Sequence, residues 1–212
     1  MMVRMESTSD GEEAPRGYRR SAGSARGEAR RRDLLERVTD DLAANGLVDF
    51  SLRRAARAAN TTHKVLLYYF DGADDLLGQA MFRLRERRID NGLAATARGH
   101  STLAARVRAI WPVLMSDELG LRAIDQGVGL MMYDPARYAR LAREGSRQYL
   151  PPLLAICPPG WSDRRKLEVA ELILATMRGF LVDWRTTGET EGIEAGLDAL
   201  VRALEREEAA EG

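Results

Sequence analysis

Ser51-Leu52-Arg53-Arg54-Ala55-Ala56-Arg57-Ala58-Ala59-Asn60-Thr61-Thr62-His63-Lys64-Val65-Leu66-Leu67-Tyr68-Tyr69-Phe70 is the stretch on which the fold turns. Ser51 is placed to cap a helix whose inner face is Leu52, Ala55, Ala56 and Ala59. Small residues there let a second helix approach closely at a steep angle, as a helix-turn-helix requires. Asn60 tolerates the left-handed backbone of the turn, because its short polar side chain lowers the steric cost. Thr62 can cap the second helix, which runs to Tyr69 and turns Val65 and Leu66 inward. His63, Lys64 and Tyr68 are left to point away from the core. Lys64 suits a phosphate or a guanine edge, and His63 a base edge or phosphate. Tyr68 and Tyr69 offer hydroxyls for phosphates and rings for sugar packing. By these residues alone, two readings stand side by side: a DNA-reading motif, or a helical hairpin with a solvated face and two half-buried tyrosines.

Upstream, Leu34, Leu35, Val38 and Leu42 recur at helical spacing, and Asn45-Gly46 supplies a stop. The connector Leu47-Val48-Asp49-Phe50 returns two or three apolar groups to the core. Downstream, Asp71-Gly72 marks a turn, and Asp74 is placed to cap a fourth helix reaching about residue 89. Charge is uneven along the chain. Residues 14–72 carry 11 Arg and one Lys against seven acidic residues, while the whole chain is neutral. A basic N-terminal third is the footprint of a phosphate-backbone partner, and equally of an ordinary charged face. Residues 1–26, polar and Arg-rich, are expected to form a disordered arm, either entering a minor groove or merely solvated.

From about Arg30 to Leu77 the sequence resembles the DNA-binding domain of the TetR family of bacterial regulators. The positions that carry the resemblance are Ser51-Leu52-Arg53, Asn60-Thr61-Thr62, Leu66-Leu67-Tyr68-Tyr69-Phe70 and Asp74-Asp75-Leu76-Leu77, all in register. The resemblance implies DNA contacts from Arg53, Thr62, His63, Lys64, Tyr68 and Tyr69. It departs from the family pattern at Asn60, where glycine is usual, and at Leu67, where tyrosine is common. Ala73 stands where the family often has a phosphate-binding lysine, so Arg30 to Arg32 or the arm are the replacements available.

The remainder also reads as helices, near 101–117, 119–131, 135–156, 162–187 and 192–207. Asn91-Gly92, Asp134-Pro135, Cys157-Pro158-Pro159-Gly160 and Gly188 mark the loops. Pro112 is expected to kink its helix, and Pro151-Pro152 to kink or break theirs. The helix at 162–187 is apolar on two sides, so it needs two buried contacts: its own core and either a partner chain or more of its own subunit. In the family the last two helices pair with their symmetry mates, which implies a homodimer through Leu174, Leu181, Leu197, Leu200, Val201 and Leu204. A two-fold pair would read a roughly palindromic operator. A ligand pocket is expected among Trp111, Met115, Asp125, Met131, Tyr133, Phe180 and Trp184, with Gln126 and His100 as further polar anchors; at helical spacing the apolar members are equally consistent with plain core.

These readings make one all-α chain of about nine helices: an arm (1–26), a three-helix DNA-binding domain (27–72) and a ligand-binding and dimerisation domain (73–212). Apolar residues are 45% of the chain, enough for a real core, and no run approaches the roughly 18 residues of a membrane helix. With no signal-peptide pattern, a cytoplasmic protein is expected. Cys157, the one cysteine, excludes an internal disulfide and is expected to be buried. No metal-spaced cluster, phosphate loop or nucleophile motif is visible, so neither an enzyme nor a cofactor is expected. The expected function is a ligand-released repressor that binds double-stranded operator DNA. The alternative is a helical adaptor that binds protein through its C-terminal helices.

Overall fold

The computed structural model describes residues 24–96, 99–116 and 120–210. Nine helices and no strand occur among them: α1 (Ala25–Asn45), α2 (Leu52–Ala58), α3 (His63–Tyr69), α4 (Ala73–Thr96), α5 (Leu103–Met115), α6 (Leu121–Tyr133), α7 (Ala139–Ile156), α8 (Asp163–Thr187) and α9 (Glu191–Ala209). Residues 1–23 of the expected arm lie outside the described residues. Its last two, Ala25 and Arg26, already belong to α1, because the Ser24 hydroxyl accepts from the Gly27 N–H at 3.1 Å and caps the helix there.

The local signals around the helix-turn-helix operate as their chemistry dictates. Ser51 accepts from Arg54 N at 3.3 Å and Thr62 from Val65 N at 3.4 Å, so both helices are capped by side-chain oxygens. Asn60 takes φ +48°, and Gly46 ends α1 at φ +71°. Asp49, in the connector, also lies at positive φ. Arg54 locks this geometry. Its guanidinium donates to Asp41 Oδ2 (2.7 Å), Gly46 O (2.7 Å) and Val48 O (2.6 Å), tying α2 to the end of α1 and the loop between them.

Three boundary expectations are corrected. α4 does not stop near 89 but runs through Asn91-Gly92 to Thr96. Gly92 is buried against α5, so tertiary packing outweighs the ~1 kcal/mol helix penalty of glycine. Asp74 is not the cap; it lies in the first turn, and Asp75 reaches back to accept from the Asp71 N–H at 3.0 Å. Finally, Pro151 and Pro152 lie inside α7, which begins at 139 rather than 135 and is flanked by α4 and α8. Pro112 likewise lies within α5.

Two cores result. The first joins Leu34, Val38 and Leu42 of α1 to Ala55, Ala56, Leu66 and Phe70, and to Leu76, Leu77, Ala80, Met81 and Leu84 of α4. The second joins Leu103, Val107 and Trp111 of α5 to Val169, Ile173 and Met177 of α8 and to Ile193, Leu197, Leu200, Val201 and Leu204 of α9. α4 belongs to the first core by its N-terminal half, while its C-terminal half packs on α5.

Candidate DNA-binding surface and ligand cavity

The tip of α3 is open. Thr62, His63 and Lys64 are exposed, and so is Leu67, one turn further on and 50% accessible. On α2, Arg53 and Arg57 are exposed one turn apart. No ion pair holds Arg53, Arg57 or Lys64 among the described residues. This surface therefore presents uncompensated positive charge, hydrogen-bonding groups and one apolar side chain on short capped helices. Such a set suits phosphates and base edges, with Leu67 able to meet a thymine methyl. Leu67 was visible in the sequence only as a departure from the family pattern; its exposure makes it part of the surface.

The two tyrosines are less free. Tyr68 and Tyr69 are half-buried with their rings edge-to-face, centroids 4.8 Å apart, and Tyr69 packs against the first core. Of the proposed replacements for the missing lysine, Arg31 is occupied structurally. It donates to Tyr69 O and Gln79 Oε1, and its guanidinium lies 5.0 Å from the centre of the Phe70 ring. Arg30 pairs with Asp33 at 2.7 Å, which leaves Arg32 exposed at that end of α1.

A cavity of about 480 Å³ opens between α4, α5, α6, α7 and α8. Of the expected pocket residues, Asp125 and Met131 line it. The others do not. Trp111 is buried in the second core edge-to-face with Phe180, at 5.9 Å between centroids, and Met115 and Trp184 pack on the same core. Tyr133 is 89% exposed at the end of α6. Gln126 does not line the cavity either: its Oε1 accepts the Leu47 N–H at 2.6 Å, tying α6 to the helix-turn-helix unit. His100 lies in the segment before α5, where its carbonyl accepts from Arg106 Nε at 3.0 Å.

What the sequence reading missed is the charge inside the cavity. Arg85 and Arg88 of α4, Tyr149 of α7 and Arg178 of α8 line it. Arg88 donates to Leu114 O at 2.7 Å and Ser116 O at 3.2 Å. Arg178 lies over the Tyr149 ring at 5.4 Å. Burial pushes the pKa of the Tyr149 phenol up, opposed by the charges of Arg85, Arg88 and Arg178. Burial likewise pushes the pKa of Arg85 down. Asp125, the one acid in the lining, pairs with Arg185 at 2.7 Å. In sequence, Arg85 and Arg88 sit within the run Arg83-Leu84-Arg85-Glu86-Arg87-Arg88 and look like an ordinary solvated face. Their three-residue spacing, which puts them on a different stripe from Arg83 and Arg87, was the available signal.

The expected dimer residues are also corrected. Leu197, Leu200, Val201 and Leu204 are buried in their own subunit's second core, and Leu174 and Leu181 line the cavity. The outward faces of the last two helices carry other residues. Leu172, Ala175 and Gly179 are exposed on α8, as is Val182, which also lines the cavity, and Gly192, Ala195 and Ala199 are exposed on α9. No described helix is long and apolar enough to cross a membrane. Among the described residues no group of three or more His, Cys, Asp or Glu is placed to hold a metal ion.

No family model matches the chain, and no curated protein matches it either. Solved structures do. A TetR-family transcriptional regulator from Cytophaga hutchinsonii aligns over 85% of this chain and 96% of its own, with a TM-score of 0.65 and 14% identity. SCO7518 from Streptomyces coelicolor A3(2), assigned as a transcriptional regulator, aligns over 82% and 98%, with a TM-score of 0.63 and 22% identity. The multidrug binding protein EbrR, solved with imidazole, aligns over 93% and 97%, with a TM-score of 0.58 and 19% identity. The arrangement of a capped helix-turn-helix beneath a larger helical unit is thus a known one: this chain has the fold of the TetR-family transcriptional regulators.

Proposed function

We propose that the chain is a homodimeric transcriptional repressor whose α3 reads operator DNA and whose cavity takes a small-molecule effector. The observation that carries the reading is the open tip of α3, where Lys64 stands exposed without an ion-pair partner beside His63 and the cap Thr62. Arg53 and Arg57 supply further positive charge from α2. Tyr68 and Tyr69 contribute at the rim, their rings held by packing.

The mate is a second copy of the chain, docked through the outer faces of α8 and α9. Leu172 and Val182 are 52% and 57% exposed there, flanked by alanines and glycines that let helices approach closely. Exposed aliphatic side chains on a small-residue face of two long helices gain from burial against their symmetry mates.

Coupling runs through α4 and α6. α4 carries Leu76 to Leu84 into the DNA-binding core and Arg85 to Leu93 along the cavity. Glu36 of α1 binds Arg83 and Arg87 of α4, so α1 follows α4 when it moves. α6 offers Asp125 to the cavity and the adjacent Gln126 to the Leu47 N–H. An effector that binds one arrangement of these helices more tightly shifts the population toward it and changes DNA affinity by the same free energy.

The test is selection of bound duplexes from a random pool, followed by affinity measurements across a salt series. A repressor of this kind selects a palindromic site, binds it as two chains per duplex, and weakens steeply with salt. Lys64→Ala weakens binding and lowers the salt slope by about 0.9 if one phosphate contact is lost. Val182→Glu gives monomers in sedimentation. Duplex binding that is absent, or indifferent to both salt and Lys64, refutes the reading and favours the protein-binding adaptor.

A further inference from the structure

Among the described residues, the cavity wall holds a buried cation, Arg85, whose donors the protein does not all satisfy. Arg85 is 3% exposed, and its Nη1 is buried without a hydrogen-bond partner. Its charge interacts across space with Glu144, but that carboxylate is bonded to Arg140 at 3.1 Å. The guanidinium rests on the backbone of α7 at Gly145. A Cβ there would lie 2.9 Å from its central carbon and 3.1–3.2 Å from both Nη atoms. The one residue of α7 without a side chain thus stands where Arg85 needs room.

The rest of the wall sorts into charge and oil. Arg88 and Arg178 add positive potential, but Arg88 directs its donors to two backbone carbonyls and Arg178 stacks on Tyr149. Asp125 is neutralised by Arg185. Ile89, Leu114, Ile124, Met131, Leu153 and Met177 make up much of the remainder. A buried charge without a partner is costly, so an anion that reaches Arg85 gains what the protein lacks. A cation meets net repulsion from the same wall.

We infer that the cavity binds an organic monocarboxylate: an apolar body filling the space between α4, α5, α6 and α8, with its carboxylate on Arg85. One guanidinium with donors to spare matches one carboxylate, which accepts from Arg in a planar fork. The volume, about 480 Å³, is within the range of small-ligand sites. This rests on the reading of the cavity as a ligand site, and it names the ligand's class.

The test uses the full chain and two probes of equal length, decanoate and 1-decanol, titrated calorimetrically. Decanoate binds about tenfold or more tighter than decanol, the scale of one charge-assisted contact. In Arg85→Met the preference falls to within about twofold while decanol still binds, which shows that the cavity persists. Gly145→Ala, which keeps the charge but pushes the guanidinium away, lowers the preference without abolishing decanol binding. Equal affinity of the two probes for the parent, failure of both to bind, or a preference that survives in Arg85→Met and Gly145→Ala overturns the inference. Operator binding is read separately. If decanoate binds through Arg85 and leaves DNA affinity unchanged, the effector role fails and the carboxylate site stands.

Discussion

Arg54→Leu tests whether the helix-turn-helix is held by one side chain. Leucine keeps the aliphatic stem and the helix propensity of α2, and removes only the guanidinium. The loss is large because Arg54 and Asp41 are shielded, at 13% and 16% side-chain exposure. Asp41 Oδ2 loses its partner, and Gly46 O and Val48 O lose theirs. Asp41 retains a bond from Asn45 Nδ2 at 2.9 Å, so its carboxylate is not wholly orphaned. Breaking a buried pair costs about 3–5 kcal/mol, and partial access of water at the loop carbonyls reduces this to roughly 2–4. At about 2–4 °C per kcal/mol for a chain of this size, the melting temperature falls by roughly 4–16 °C. Thermal unfolding by circular dichroism gives the value, and Arg54→Leu with Asp41→Asn in a double-mutant cycle isolates the pair. A single variant within about 0.5 kcal/mol of the parent, the range of a surface change, would refute the argument.

Other outcomes follow from named contacts. Gly120→Ala should destabilise, since Gly120 has φ +71° and a Cβ would lie 2.8 Å from Ala43 Cα; a chemical-denaturation midpoint equal to the parent's would count against that close approach of α6 and α1. Cys157 is buried, and burial raises its thiol pKa. Its alkylation at neutral pH should be slower than that of an exposed thiol by on the order of tenfold or more, with rapid labelling of the folded protein as the contrary result. Glu36 would be pushed up by burial alone, but hydrogen bonds from Arg87 and Arg83 hold its pKa below 4.5. Its contribution is therefore full above that value and lost as pH falls through the lowered one, modestly because the pair is partly solvated. Glu36→Gln should flatten the acid side of the stability profile, and an unchanged profile would show that the α1–α4 ion pairs contribute nothing.

How much of this was legible in the sequence depended on how local the signal was. Ser51, Asn60, Thr62 and Gly46 act through their own backbone within a few residues, and each does what its chemistry predicts. The all-helical architecture followed from periodicity, which packing reinforces. The α4 boundary failed because Gly92 is penalised locally and rewarded only by α5, where it meets Ile110, 18 residues further along the chain. The pocket list failed for the same reason. Aromatic and methionine residues mark apolar burial but not whether burial ends in a core or at a cavity, and Trp111 and Phe180 went to the core. The dimer list chose the most apolar stripe of α9, and the most apolar stripe is the one a subunit buries first. Arg85 was hidden among charged neighbours. No pattern of one chain segment tells a solvated arginine from one that a distant glycine, Gly145, has made room to bury.

That hidden arginine bears on how binding could reach DNA. α4 is a continuous helix of 24 residues, and a helix of that length transmits tilt rather than absorbing it. Arg85 follows directly on Leu84, the last α4 residue packed in the first core. The cavity contact and the helix-turn-helix unit thus meet at adjacent residues of one rod. Arg85 is also pressed against α7, so its position reports the separation of α4 and α7. A carboxylate that needs both Arg85 and the α7 wall has its best geometry at one separation only. Its free energy of binding must then differ between arrangements with α4 near α7 and away from it. Differential affinity is the one property a ligand must have to shift such an equilibrium. An apolar molecule of the same size makes no bond that depends so steeply on the distance. The charged contact, more than the larger apolar one, is therefore where an effector would gain its leverage over α3.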